Sequence, residues 1–162
     1  MLEKKNVKTT EETVEGFKIL VENATELNKK EFFKILAGTE EGLILTIERV
    51  GNTYISKFKN NKGKRPSMCA IDYSFKHNSK NYEIGIHYSL GLPIAEETFK
   101  LTSDMNITKI LAVTNPDIKR AKKFEATKRF IEDSLTGIKF RAEIGTSFNG
   151  GFLIEPVELL ED

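Results

Sequence analysis

The chain reads as an α+β fold built on antiparallel β-hairpins, and three observations predict it. Runs of alternating apolar and polar residues flank turn-forming clusters at Gly51-Asn52, at Asn78-Ser79-Lys80-Asn81 and at Asn149-Gly150-Gly151. Period-two alternation interrupted by such residues marks paired strands. Helix signals lie before and between these runs: Asn28 and Glu31 have the form of a capping box, and Asn115-Pro116-Asp117 offers an N-cap, a first-turn proline and an acid. A length of 162 residues fits one domain, with an N-terminal helical segment (1–40), a β-rich core (43–158) and an acidic end (159–162).

In chain order, Val14, Phe17, Leu20, Val21 and Ala24 recur at helical spacing, so residues 9–37 are expected to be mostly helical, ending in a short helix over 29–37 that stops at Gly38. Residues 43–60 read as a hairpin closed by Gly51-Asn52, with Val50 opposite Thr53. That register puts Leu43, Leu45, Ile47, Tyr54 and Phe58 on one face, with Arg49 near the turn opposite Tyr54, and Lys57 and Lys59 on the other. A second hairpin over 68–90 pairs Lys76 with Glu83, which sets Ile71, Tyr73 and Phe75 opposite Tyr88, Ile86 and Ile84, and Asp72 across from His87. Ile118, Ala121, Phe124, Ile131 and Leu135 form a helical stripe over 116–136, ended by Gly137. A third hairpin joins 138–144 to 152–157, where Pro156 marks an edge strand or a strand end.

Composition narrows the function. A single cysteine, Cys69, rules out an internal disulfide, and two histidines give no zinc spacing, so a reducing, cytoplasmic setting is expected and no cofactor or metal is called for. No run approaches the roughly 18 apolar residues of a membrane span. The net charge is only +1, yet residues 49–80 carry eight bases against the single acid Asp72. The bases are Arg49, Lys57, Lys59, Lys62, Lys64, Arg65, Lys76 and Lys80, and Tyr54, Phe58, Tyr73 and Phe75 lie among them. Cations that follow a phosphate backbone, interleaved with rings on which bases stack, are the ingredients of single-stranded nucleic-acid binding. A second basic cluster, Lys119, Arg120, Lys122 and Lys123 with Lys128 and Arg129, lies on the helix expected after Asn115. If it converged on the first, the two would form one positive path.

Other readings compete with this one. Phe58 and Phe75 share faces with aliphatic residues and are expected in the core, while Tyr54, Tyr73, Tyr82 and Tyr88 suit half-exposed positions. Asp72 and His87 would make an acid–base pair, but without a nucleophile elbow, a phosphate-cradling loop or a metal cluster an enzyme is not expected. The two His-x-Ser stretches at His77 and His87 fall on one hairpin, not on two lobes facing a cleft. The basic loop would also suit an acidic protein surface, with Phe32 and Phe33 as apolar anchors. The acidic end, Glu155, Glu158, Glu161 and Asp162, would suit contacts with replication or host proteins.

Hairpins before a helix, a hairpin after it, basic loops and an acidic finish resemble the layout of small single-stranded DNA-binding proteins of phages and plasmids, over residues 43–162. The resemblance implies a five-stranded barrel of the oligonucleotide-binding class with its helix before the last two strands, here 116–136, then 138–144 and 152–157. The chain departs from that layout in having four expected strands before the helix, an acidic tail without an aromatic end, and an additional N-terminal segment. A curved open sheet is the alternative architecture. Under either architecture the expected partner is single-stranded DNA or RNA, bound through Arg49, Tyr54, Lys57, Lys59, Lys62, Lys64, Arg65, Tyr73, Tyr88, Lys119, Arg120, Lys122 and Lys123, with oligomeric state left open.

Overall fold

A computed structural model describes residues 23–147 and 150–160. The helical reading of residues 9–22, the turn residue Asn149 and the last two acids lie outside the described residues.

The described architecture is α+β and mostly strands. In order it comprises β1 (Thr25–Glu26), α1 (Lys29–Ala37), β2 (Leu43–Val50), β3 (Tyr54–Ile55), β4 (Ser67–His77), β5 (Lys80–Gly91), β6 (Pro93–Ala95) and β7 (Thr98–Thr102). Then come α2 (Asn106–Leu111), a 3-10 turn (Pro116–Arg120), β8 (Lys123–Thr127), α3 (Lys128–Leu135), β9 (Lys139–Thr146) and β10 (Phe152–Leu160). The main sheet runs β1-β5-β4-β2-β9-β10 with β3 also paired to β4, and β6-β7-β8 form a second sheet. The β1–β5 pairing is parallel and makes the main sheet mixed.

Helix α1 forms where its capping box predicts. The Asn28 side chain accepts the Glu31 amide at 2.7 Å, and the Glu31 carboxylate accepts the Asn28 N–H at 3.0 Å. Phe32, Phe33 and Leu36 go into the core. The residues just before it are not helical as expected: Thr25 and Glu26 lie parallel to Tyr82 and Glu83, because the extended backbone of the capping Asn28 starts the helix there.

The expected hairpin over 43–60 does not form. Gly51 and Asn52 lack the positive φ that a tight two-residue turn requires, and the chain continues along β4 with a kink. Strand β2 pairs with the C-terminal half of β4, the Gly51 amide donates to the Ala70 carbonyl at 2.8 Å, and β3 then pairs with the start of β4. The two strands thus share one lane along an eleven-residue partner. The left-handed pair is instead Asn78 and Ser79, with φ of 52° and 67°, which closes β4 onto β5 in a two-residue turn. The real register pairs Lys76 with Asn81, two residues from the expected one, so Ile71, Tyr73 and Phe75 face Ile86, Ile84 and Tyr82. An even shift preserves the faces while changing every partner.

The helix expected over 116–136 is broken in three. Its apolar stripe hides a period-two stretch, Lys123-Phe124-Glu125-Ala126-Thr127, which pairs with β7 as β8. Thr127 then caps α3, its hydroxyl accepting the Phe130 amide at 3.0 Å. A helix therefore falls between the eighth and ninth described strands, not between a fourth and a fifth. The third hairpin forms as expected, with β10 on the edge of the sheet and a register shift at Pro156.

Helix α2 packs against both β5 and β10, and α1 against both β5 and β9. Neighbouring strands lie about 4.8 Å apart, so a flat sheet would hold β5 and β10 roughly 19 Å apart, well beyond one helix width of about 10 Å. The sheet therefore curls around the helices. Among the described residues it does not close into a barrel, because β1 and β10 end the strand order without pairing to each other. One apolar cluster fills the concave side and joins Ile47, Tyr73, Leu90 and Phe140 of the main sheet to Phe99 of the second sheet and Ile107 and Ile131 of the helices.

Candidate nucleic-acid interface

Because β2 and β3 share a lane, the connection from Ser56 to Pro66 becomes the true hairpin loop onto β4. The Ser56 amide donates to the Pro66 carbonyl at 2.9 Å and closes its base. Inside it, the Asn60 side chain accepts the amides of Lys62 and Lys64 at 2.9 and 3.0 Å, and Gly63 takes the left-handed φ of 75° at the tip. The Arg65 guanidinium donates to the Lys57 carbonyl across the loop. These bonds order a projecting finger that carries Lys57, Lys59, Lys62, Lys64 and Arg65 with no acid, all exposed.

Phe58 lies between Lys57 and Lys59 on this finger and is 78% exposed. The expectation that it joins the core fails, because the residue belongs to the loop and no strand period directs it inward. Ile55, at 68% exposed, and Tyr54, at 43%, line the root of the finger. Phe75 is buried as expected, stacked on Tyr82 with ring centroids 5.4 Å apart.

On the convex face of the sheet beside the finger, Tyr54 Oη lies 2.6 Å from His87 Nδ1, and the two rings meet edge to face. The register shift after Ile47 turns Arg49 to this face, correcting its expected place on the apolar side. Its Nε and Nη2 donate to one oxygen of Asp72 at 2.9 and 2.8 Å. Asp72 stands opposite Gly85 and His87 opposite Ala70, so the expected Asp72–His87 cross-strand pair is replaced by two different pairs.

Tyr73 and Tyr88 cannot stack on bases as expected. Both are buried, and their hydroxyls hydrogen-bond to each other at 2.7 Å. Burial pushes both phenols well up from the usual tyrosine range, and it pushes the neighbouring Cys69 thiol up to about 11 against the pull of Lys128. Phe32 and Phe33, the suggested partner anchors, are likewise buried in the core.

The second basic cluster is dispersed among several elements. Lys119 and Arg120 end the 3-10 turn, Arg120 lies 3.7 Å from Asp117, and Lys123 begins β8. Lys119 lines a groove together with Glu155 and Glu158 of β10. Lys122 lends its backbone carbonyl to Ser103. On α3, Lys128 is buried against Glu132 and Arg129 faces Asp133, each four residues on. Glu158 itself accepts from Arg141 at 3.2 Å. The single helical face of cations expected after Asn115 does not exist.

Among the described residues no group of three or more His, Cys, Asp or Glu could hold a metal ion, and no helix is long and apolar enough to cross a membrane. Two features of the site were missed from sequence, the exposure of Phe58 and the Tyr54–His87 contact. The acid-free span from Gly51 to Ile71 around Gly63 was the signal for the first. The second depends on the pairing of β3 with β4, which no local pattern reveals. The chain matches no protein-family model, no curated protein and no solved structure.

Proposed function

We propose that the protein binds single-stranded nucleic acid, DNA or RNA, without acting on it chemically, and that the finger from Ser56 to Pro66 is its principal contact. One observation carries the reading: a 78% exposed phenylalanine held between lysines on a hydrogen-bonded loop of five cations and no acid. A partner that covered this ring would add apolar burial to the attraction of the surrounding cations. The cations would neutralise phosphates while Phe58 and Tyr54 offer ring faces to bases, each stack worth about 1–3 kcal/mol. An open, curled sheet with a basic hairpin at one end is compatible with the oligonucleotide-binding layout, although the sheet does not close.

Fluorescence anisotropy of a labelled oligonucleotide at about 50 and 200 mM salt tests the reading. Micromolar binding that weakens steeply with salt is expected. Replacing Lys57, Lys59, Lys62, Lys64 and Arg65 by Gln should flatten the slope of log affinity against log salt by about 0.7 for every phosphate that is no longer neutralised. Absence of micromolar binding at the lower salt ends the proposal.

A second reading is favoured by the apolar residues beside the finger. Ile55 pairs with Ser67, which pairs with Gly91, and Leu92 and Ile94 just beyond are also exposed. An acidic protein with an apolar patch would fit this combination. A stoichiometric protein partner retained after nuclease treatment, with no oligonucleotide binding, selects it.

A further inference from the structure

We infer that the convex face of the sheet between β3 and β5 is a base-reading subsite, which takes one nucleotide of the strand held by the finger and prefers bases that carry an exocyclic amine. The inference rests on the nucleic-acid reading and adds to it a place and a selectivity. Six residues define the place: Ala70 and Gly85 form a low floor, and Tyr54, His87, Arg49 and Asp72 stand around it. A side chain at Gly85 would meet the Asp72 carboxylate, since a Cβ built there lies 2.8 Å from Asp72 Oδ1. The Asp72 carboxylate therefore lies over the glycine, with 15% of its side chain exposed to a ligand.

Each rim group has capacity to spare. Arg49 spends Nε and Nη2 on one oxygen of Asp72, which leaves Nη1 for a phosphate and Asp72 Oδ1 as an acceptor. His87 uses Nδ1 on Tyr54, so Nε2 remains for a base edge. The Tyr54 ring is held edge-on to the imidazole with its centroid 5.7 Å away, and 43% of the residue is exposed. Asp72 and His87 are diagonal neighbours on this face, close enough for one ligand edge to reach both.

Position argues for the same ligand. Tyr54 is three residues from Lys57, so the patch continues directly from the base of the finger. Further along the same face the character turns acidic: Ser74 donates to Glu48 at 2.5 Å, and Glu83 stands opposite Ser74. A phosphate chain entering from the finger would meet Arg49 and then these carboxylates before it could reach Lys76, which favours a short footprint. An acidic rim residue selects by accepting: cytosine, adenine and guanine offer an exocyclic amine to Asp72 Oδ1, whereas thymine offers only its N3–H, set between two carbonyl oxygens that a carboxylate repels.

Homopolymeric oligonucleotides of about ten nucleotides separate the possibilities when titrated at fixed low salt. The wild-type chain should bind the cytosine, adenine and guanine oligomers at least fivefold tighter than the thymine oligomer. Asp72→Asn and His87→Gln should bring the four within about twofold while leaving the salt slope unchanged, and Tyr54→Phe should retain affinity where Tyr54→Ala loses it. Thermal unfolding of each variant identifies any that lose the fold, and Tyr54→Phe with His87→Gln then carry the test alone. Binding without base preference, or a preference that both variants keep, overturns the subsite and leaves the finger as the contact. Failure of every oligomer to bind removes the subsite and the proposed function together.

Discussion

Phe58 and Tyr73 come from one basic stretch, fifteen residues apart, and the fold treats them in opposite ways. Tyr73 is on β4, where every second residue points into the concave side, and its ring is fully buried against Phe140 with its hydroxyl on Tyr88. Phe58 is on the finger, where cations and a left-handed glycine keep the chain away from the core. The difference teaches that an aromatic among lysines has no fate of its own. A strand period carries it inward, and a loop leaves it in solvent.

The largest effect that would break this contrast is on stability. Tyr73→Ala should cost about 3–5 kcal/mol, as large core truncations do, since it removes buried area and leaves a cavity. Chemical denaturation gives the value directly. A loss under about 1 kcal/mol would mean that Tyr73 is not the core residue described.

The hydroxyl pair inside the core gives a smaller effect with a particular signature. Tyr73→Phe or Tyr88→Phe alone leaves one buried hydroxyl without its partner, at about 1–3 kcal/mol. The double variant removes both groups and should cost clearly less than the sum of the singles. A double-mutant cycle measures the coupling, and strict additivity would dissolve the pair.

Much of the fold was legible wherever a local rule decides. The capping box at Asn28 and Glu31 set the start of α1, and the alternation around Asn149-Gly150-Gly151 set the last hairpin. What failed was pairing. Gly51-Asn52 looks like a tight turn to any local rule, and only the length of β4 makes it a kink within a continued lane. Residues 116–136 show helical spacing, yet Phe124 and Ala126 alternate inward against β7, a strand whose own existence was not read. The finger's cations were visible in sequence, whereas the Tyr54–His87 and Arg49–Asp72 pairs depend on those same long-range registers.

Alkaline pH separates the two regions again. The Cys69 thiol is raised from 9.0 to about 11, mainly by burial, so the folded state favours its neutral form. That contribution is fully present below the unfolded value and disappears as pH rises through about 11. Stability should therefore fall between pH 9 and 11, and more gently in Cys69→Ala, with Tyr73 and Tyr88 adding to the loss at higher pH. Denaturation midpoints across that range decide it, and identical curves for the two proteins would count against the buried thiol.

The smallest expected change in stability sharpens the comparison most. Phe58→Ala touches a ring that meets little of the protein, so its unfolding free energy should stay within about 0.5 kcal/mol of wild type. Its oligonucleotide affinity should fall about fivefold or more, the loss of one stacked base, with the salt slope unchanged because no cation is removed. A variant that destabilised the fold would return Phe58 to a structural role. A variant that changed neither property would leave the finger with charge alone, and the reading would then rest on its lysines and Arg65.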